Sequence, residues 1–182
     1  MHGAGVDALP AGGAEATVMA AEPEEEPEMA LELFLREMER YQLRWGRSDL
    51  QRLFHSWDDV REWDGRIHVF GEQHRGRIPT GLPTIDIQEF DVDGREHYSS
   101  AAETGLDENC MVANINAHDG LVVLYEVVDL VDDFAQPREI GIMCRSGRHR
   151  SVSVARFAVE HLLRRATLLF YNERVRRQYR RV

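Results

Sequence analysis

The sequence predicts an α/β fold, with a small, mainly parallel sheet that has helices on its faces and is preceded by two amphipathic helices. Two observations predict it. From residue 66 onwards, short apolar runs typical of strands alternate with stretches of helical periodicity, the pattern of parallel β–α–β units. Before residue 66, apolar residues recur at spacings of three and four, as on one face of a helix. We therefore divide the chain into residues 1–28, 29–65 and 66–182.

Composition limits the classes of function. With 43% apolar and 8% aromatic residues among 182, the chain has the composition of a globular protein with one core. We expect no membrane partner, because no stretch reaches the roughly 18 to 20 uncharged apolar residues that span a bilayer, and no secretory signal is found. Cys110 and Cys144 are too few for a disulfide framework, which favours a reducing, cytoplasmic setting.

Charge is distributed unevenly along the chain. All 22 basic residues are arginine, and the net charge is −10. Residues 138–182 contain 12 arginines and 3 glutamates, so this quarter of the chain carries +9 and the residues before it carry −19. The net acidity argues against the whole chain being a general polyanion binder, whereas the C-terminal quarter alone has the charge of one.

The N-terminal segments predict disorder followed by two helices. Residues 1–28 are rich in Ala, Gly, Pro and Glu, which predicts a disordered acidic segment. The first helix ends at Gly46, and Ser48 with Gln51 forms a capping-box pattern that opens the second. The two apolar faces consist of Leu31, Phe34, Leu35, Met38, Tyr41 and Trp45, and of Leu50, Leu53, Phe54, Trp57 and Val60. We favour packing of both helices on the following domain, since exposed stripes of this size are uncommon, over docking of a protein partner.

The third segment alternates strands and helices. Strands are predicted at residues 67–70, 84–90, 140–143 and 168–171. Helices are predicted at residues 107–115, after a capping Asp119, and at residues 149–164. The inward positions of the last two helices are Leu121, Leu124, Val127, Val128, Val131 and Phe134, then Val152, Ala155, Phe157, Val159 and Leu163. Because ligands bind beyond the carboxyl ends of parallel strands, we expect the loop after residue 143 at the binding edge.

That loop, residues 144–151, has the chemistry of an anion site. Gly147 allows a tight turn in which successive backbone N–H groups face one concavity. The helix that follows adds its positive end. Arg150 offers a planar fork for two oxygens of a phosphate or sulfate, and further donors are Arg145, Ser146, Arg148 and His149. The loop therefore predicts an anion-binding site.

The spacing Cys-x5-Arg-Ser is also that of cysteine-dependent phosphatases. In a catalytic interpretation, the positive surroundings favour the thiolate of Cys144 as nucleophile, and Ser151 hydrogen-bonds it. Asp91 and Asp93, after the second strand, are then the candidates for the acid that protonates the leaving group. In the alternative interpretation, Cys144 is a small residue at the end of a buried strand, where free cysteines are common.

Three matches along the chain resemble the C-terminal domain family of RapZ, an RNase adapter protein. Residues 144–152 resemble its Cys-Thr-Gly-Gly-x-His-Arg-Ser-Val signature through His149, Arg150, Ser151 and Val152, and residues 104–107 resemble its Thr-Gly-Leu-Asp. Residues 85–87 resemble a family strand, and Phe70, Gly76 and Pro79 resemble the loop after its first strand. No Gly-x4-Gly-Lys-Ser/Thr motif occurs, so the resemblance is to a stand-alone copy without the family's nucleotide-binding, kinase-like domain.

This resemblance implies a binding domain rather than a hydrolase. It implies that the domain senses an amino-sugar phosphate and binds RNA, with contacts from residues 144–151 and from His74, Asp86, Thr104 and Asp107. We expect no cofactor, and we expect no metal site, because the scattered His68, His74, His97 and His118 lack the close spacing of a ligand set.

A second resemblance leaves an enzymatic alternative open. Cys-Arg-Ser-Gly begins the active loop of many rhodanese-like domains, and residues 85–98 resemble their Asp-Val-Arg…Glu-Tyr segment. It implies a sulfurtransferase or a related phosphatase, with Cys144 as nucleophile and Arg150 as oxyanion binder. It does not account for residues 104–107 or for His149, so we favour the binding interpretation.

The C-terminal residues are rich in cations with an aromatic residue among them. The candidates for RNA contact are Arg174, Arg176, Arg177, Tyr179, Arg180 and Arg181. Aromatic residues between cations suit single-stranded RNA. A solvated terminus, or one that folds back on the acidic N-terminal segment, accounts for the same composition equally well.

Overall fold

The computed structural model describes residues 27–58, 60–94, 104–133 and 138–180. The predicted disorder of residues 1–28 lies almost entirely outside them, as do the predictions for His97, Phe134 and Arg181. Within the described residues the α/β prediction is confirmed: four strands form one parallel sheet, and two helices precede it.

The sheet has the strand order β2-β3-β1-β4. The strands are β1, Arg66–Gly71, β2, Thr84–Asp86, β3, Glu139–Cys144, and β4, Thr167–Phe170. β2 is shorter than the predicted 84–90, because the carboxylate of Asp86 accepts a hydrogen bond from the N–H of Gln88 over 3.1 Å and turns the chain into a 3₁₀ helix at Ile87–Glu89.

The strand order places the ends of β1 and β3 side by side at the carboxyl edge, where Gly71 and Cys144 are register partners. After Gly71 the chain passes β3 to reach β2, and after Cys144 it passes β1 to reach β4, so the two connections run in opposite directions past each other. In open parallel sheets, ligands bind beyond this edge. The predicted loop therefore lies at the carboxyl edge, as expected.

The helices confirm the predicted elements and correct several ends. The described helices are α1, Pro27–Arg40; α2, Arg47–His55; α3, Glu108–Ile115; α4, Gly120–Asp133; α5, Arg150–His161; and α6, Glu173–Tyr179. α1 ends before Trp45, because Gln42 takes a left-handed conformation with φ of 48°. The predicted capping box of Ser48 is wrong. Gly46 is the N-cap of α2, and its N–H donates to the carboxylate of Asp49 over 3.1 Å.

Two further points lie downstream. Asp119 directly precedes α4, where its carbonyl accepts the N–H of Val123 over 2.9 Å and its carboxylate accepts the backbone N–H of Asp91 over 2.7 Å. The arginine-rich C-terminal residues, for which the sequence predicted no element, form α6. α6 is anchored by the fully buried Val175. Its N-cap is Asn172, whose side-chain oxygen accepts hydrogen bonds from the N–H groups of Arg174 and Val175.

One core joins the N-terminal helices to the sheet. Phe34, Met38 and Leu53 belong to the same buried cluster as Ile142 and Phe157. The helices thus pack on the domain, as favoured from the sequence. No helix among the described residues is both long and apolar enough to cross a membrane.

Candidate functional site

The 144–151 loop lies tightly against the end of β1. Gly147 has a φ of 61°, and a Cβ atom there would lie 2.4 Å from the nitrogen of Gly71 and 2.5 Å from the carbonyl carbon of Phe70. A Cβ on Gly71 would in turn lie 2.5 Å from the carbonyl carbon of Ser146. Two glycines are therefore needed for the loop to cross the end of its neighbouring strand.

Neighbouring segments hold most of the loop's carbonyl groups. The carbonyl of Arg145 accepts the N–H of Glu72 over 3.3 Å. That of Ser146 accepts the side-chain amides of Gln73 and Asn172, at 3.3 and 3.0 Å. The carbonyls of Arg148 and His149 accept the N–H groups of Gly105 and Ser153, at 2.9 and 2.8 Å. These bonds fix the orientation of the loop backbone from three sides.

Most N–H groups of the loop, in contrast to its carbonyls, have no partner. The N–H groups of Ser146, Gly147, Arg150 and Ser151, and that of the adjoining Val152, donate to no described residue. His149, the N-cap of α5, makes no capping hydrogen bond through its side chain. Gly147, Ser151 and Val152 are buried, and buried N–H groups require a hydrogen-bond partner.

Two arginines, Arg145 and Arg150, belong to the same segment as these N–H groups. The side chains of Arg145 and Arg150 form no hydrogen bond or ion pair with any described residue. Arg150 is half-buried as the first residue of α5, and Arg145 is exposed at the start of the loop. The loop therefore combines unpaired backbone donors, two unpaired cations and the positive end of a twelve-residue helix.

Cys144 lies beneath the loop. Cys144 is 2% exposed and belongs to the main core cluster. Its Sγ atom is 3.2 Å from the Oγ atom of Ser151, which is itself fully buried. The structure thus brings the side chains of Cys144 and Ser151 together, and Arg150 is the first residue of α5 beside Ser151.

The 104–107 segment supports the loop from behind. Besides the bond from Gly105 to Arg148, the N–H of Thr104 donates to the carboxylate of Asp107 over 2.6 Å. Gln178 of α6 hydrogen-bonds the hydroxyl of Thr104 over 2.6 Å and the carboxylate of Asp107 over 2.9 Å. Thr104 and Asp107 thus have intramolecular partners, and their predicted role as ligand contacts stays a prediction.

His74 and Asp86 lie at the carboxyl ends of β1 and β2. His74, in the 3₁₀ helix Glu72–Arg77, accepts the N–H of Gly71 through Nδ1 over 3.4 Å. Burial, and secondarily the charge of Arg77, lowers the pKa of His74 below its ordinary value. Asp86 forms an ion pair of 3.6 Å with Arg75, which shares the same edge.

The two candidate acids, Asp91 and Asp93, lie beside the start of α4 and beside a cavity at α1 and α3. The backbone of Asp91 exchanges hydrogen bonds with Asp119 at the start of α4. Asp93 lines a cavity of about 520 Å³ between the end of α1 and α3, together with Arg44 and Glu108. Among the described residues, none from the 144–151 loop lines that cavity. Their role as acids stays a prediction.

The C-terminal cations are presented by a helix. Arg176 and Arg177 both form ion pairs with Glu173, at 3.6 and 3.1 Å. Tyr179 is 50% exposed and packs edge-on against Phe170 with ring centroids 5.0 Å apart. Sequence reasoning missed Asn172 and Gln178, which tie this helix to the loop. An N-cap pattern of Asn followed by Glu could have predicted the first of them.

The fold and the loop define a parallel α/β protein with a strand–loop–helix candidate site at the carboxyl edge of its sheet. No group of three or more His, Cys, Asp or Glu side chains in the described part of the chain is placed to hold a metal ion. Comparison with protein-family models, with curated proteins and with solved structures finds no match to this chain.

Proposed function

We propose that this protein is a non-catalytic binding module whose 144–151 loop holds a phosphate group. The shared chemistry is a phosphate with at least one free face, carried either by a small metabolite of the amino-sugar phosphate class or by RNA. The observation that carries the proposal is the asymmetry of the loop backbone: four of its carbonyls accept hydrogen bonds from described residues, whereas four of its N–H groups, and that of the adjoining Val152, have no described partner.

Electrostatics and topology support the same conclusion. Arg150 projects from the first turn of α5 and supplies a planar pair of donors suited to two phosphate oxygens. The loop lies at the carboxyl edge of the parallel sheet, where ligands of such sheets bind. His74, after β1, and Asp86, at the end of β2, lie at the same edge and offer polar side chains for hydroxyl or amino groups of a sugar.

Calorimetric titration tests the proposal. We expect binding of an amino-sugar phosphate and no binding of the unphosphorylated amino sugar. Arg150→Ala should lower the affinity roughly tenfold to a hundredfold, the range for a lost charge-assisted hydrogen bond. Arg164→Ala is the matched control, since Arg164 is exposed at the end of α5 and has no described partner. Equal affinities of the two variants would remove the proposal.

A second arm distinguishes the two sources of phosphate. A short single-stranded RNA is titrated into the same variants at two salt concentrations. If RNA is the ligand of the loop, Arg150→Ala weakens it as well, and the affinity falls steeply with salt. If RNA contacts only Arg176, Tyr179 and Arg180 on α6, Arg150→Ala leaves its affinity unchanged. If the loop binds the amino-sugar phosphate and does not bind RNA, it is a site for small molecules.

The enzymatic alternative has one observation in its favour, the 3.2 Å contact of Cys144 Sγ with Ser151 Oγ. In that alternative, the thiolate of Cys144, stabilised by Ser151, attacks the phosphorus atom of an aryl phosphate and displaces the aryloxide, or attacks the outer sulfur of thiosulfate and displaces sulfite. Turnover of an aryl phosphate or of thiosulfate that disappears in Cys144→Ser would establish it. Binding of the sugar phosphate that survives Cys144→Ser supports the non-catalytic function.

We also propose the cytoplasm as the setting, since both cysteines are free.

A further inference from the structure

We propose that the outer edge of β4, together with α6, is a groove that binds an extended acidic peptide, which adds to the sheet as a fifth strand. This surface is separate from the 144–151 loop, and the proposal does not depend on what the loop binds. It is argued from the hydrogen-bonding state of β4, from the charge of the groove and from its exposed aromatic side chain.

β4 is an edge strand, and some of its backbone N–H and C=O groups have no described partner. The N–H groups of Thr167 and Tyr171 donate to the carbonyls of Gly65 and Val69 in and beside β1, at 2.9 and 3.1 Å. In a parallel pair, alternate residues face the partner strand, so Leu168 and Phe170 direct their N–H and C=O groups away from β1. No described residue pairs with these groups. Such an edge is a template for strand addition.

A groove of about 480 Å³ runs along this edge. Its floor is formed by residues 168–171 of the strand edge. Its walls come from Arg176, Tyr179 and Arg180 of α6 and from Arg77. The groove therefore contains three arginines, and no carboxylate is among its described lining residues.

The charge of the groove selects the occupant. Arg77 and Arg180 form no ion pair with any described residue, and Arg176 forms one with Glu173, at 3.6 Å, in which both side chains are largely exposed. A second copy of the chain would bring three further arginines to the same edge, which is unfavourable. A peptide with glutamates at alternate positions supplies both the carboxylates and the backbone groups that the edge lacks.

Tyr179 supplies the remaining contact surface. It is one of the few large apolar or aromatic residues that are strongly exposed, at 50%, and its orientation is fixed by the edge-on contact with Phe170. An aromatic ring held in this way offers apolar area to a side chain that lies between two acidic positions of the peptide. RNA could use the arginines and the ring, but it cannot reproduce the strand-like pairing with Leu168 and Phe170.

The test uses the full chain and a labelled octapeptide that alternates Glu and Val. Fluorescence anisotropy should show binding of this peptide. We expect no binding of the Lys–Val peptide or of a Glu–Val peptide that is N-methylated at alternate residues, which keeps its charge but cannot pair as a strand. Equal binding of the N-methylated peptide would overturn strand addition.

Variants of the protein locate the groove. Leu168→Pro removes an N–H that faces away from β1, so the sheet should remain folded while peptide affinity falls by about tenfold or more. Arg176→Gln with Arg180→Gln should weaken the peptide about tenfold, and Arg36→Gln with Arg164→Gln is the control of equal charge. Unchanged peptide affinity in the variant with Arg176→Gln and Arg180→Gln would contradict the proposal.

Hydrogen exchange gives a readout that needs no variant. Peptide binding to the wild-type chain should slow exchange of the Leu168 and Phe170 amides selectively. If these amides are not slowed, or if single-stranded RNA binds the groove while the acidic peptide does not, the groove is not a strand-addition site.

Discussion

The N–H of Gly105 donates to the carbonyl oxygen of Arg148 over 2.9 Å, and this bond joins two segments that are 43 residues apart in the sequence. Gly105 lies so close to the start of α5 that a Cβ atom would be 2.4 Å from both the oxygen of His149 and the nitrogen of Ser153. The 104–107 segment thus packs against the loop and the start of α5, and the conformation of the loop depends on this contact.

Gly105→Ala should therefore destabilise the protein. Backbone atoms cannot move aside as a flexible side chain can, so we expect a loss of about 2 to 3 kcal/mol in the free energy of unfolding, typical of overpacking. Urea unfolding measures it. Gly76→Ala is the control, because a Cβ there has no atom within 4 Å. Similar midpoints for the two variants would show that this contact is not tight.

Gly147→Ala separates backbone strain from steric clash at the loop. Gly147 has both a φ of 61° and a clash with Gly71, whereas Gly81 has a φ of 78° and open space around it. Gly81→Ala should cost about 1 kcal/mol, from the left-handed conformation alone. Gly147→Ala should cost roughly 2 kcal/mol more and should weaken phosphate binding. Calorimetry and urea unfolding check both results, and equal losses of stability would contradict the packing argument.

Asn172 is expected to act on the loop and on α6 separately. Its Nδ2 donates to the carbonyl of Ser146 over 3.0 Å, and its Oδ1 accepts the N–H of Arg174 over 3.0 Å. Asn172→Ala should cost about 1 kcal/mol of stability through the lost cap, while Asn172→Asp keeps the cap. Both variants lose the donor to the loop, so both should bind phosphate more weakly in calorimetric titration. Asn109→Ala, an exposed position on α3, is the control.

Unaltered phosphate affinity in both Asn172 variants would mean that the loop holds its conformation without α6. If Asn172→Ala lost phosphate affinity and Asn172→Asp did not, the effect would instead come from the helix cap. The two substitutions therefore distinguish positioning of the loop from stability of the helix.

Acid should weaken the contact between α1 and α5 through His161. Its side chain is 2% exposed, its Nε2 lies 3.3 Å from the hydroxyl of Tyr41, and its Nδ1 is 3.4 Å from the carboxylate of Glu37. The Glu37 contact is an ion-pair distance without a hydrogen bond, since Nδ1 has no hydrogen-bond partner. Burial outweighs Glu37 and Glu160, so the pKa of His161 is lowered below its ordinary value of 6.5.

The sign of the pH effect follows from that direction. The folded protein holds His161 neutral, while the unfolded chain takes up a proton as the pH falls below 6.5. The free energy of unfolding should therefore be constant above this pH, as far as His161 contributes, and should fall as the pH drops below about 6.5. Urea unfolding at three pH values measures it. His161→Gln should flatten the dependence, whereas His118→Gln, an exposed control, should not.

The sequence by itself determined the class of fold and the position of the candidate loop. Periodicities of two and about 3.6 residues are local, so the alternation of strands and helices, and the loop between β3 and α5, were readable without coordinates. It also placed the apolar faces of α1 and α2 correctly, since residues such as Phe34 and Leu53 are buried where the pattern predicts.

Only the tertiary structure decided the strand order and the partners of the loop. Periodicity shows which face of an element is buried, but not which distant segment covers it. The bonds that orient the loop come from residues such as Asn172, 26 positions from Ser146, and Gln178 joins α6 to Thr104 across 74 positions. These contacts depend on the path of the whole chain. For the same reason, the sequence showed donors around Arg150, whereas the structure showed which N–H groups remain unpaired.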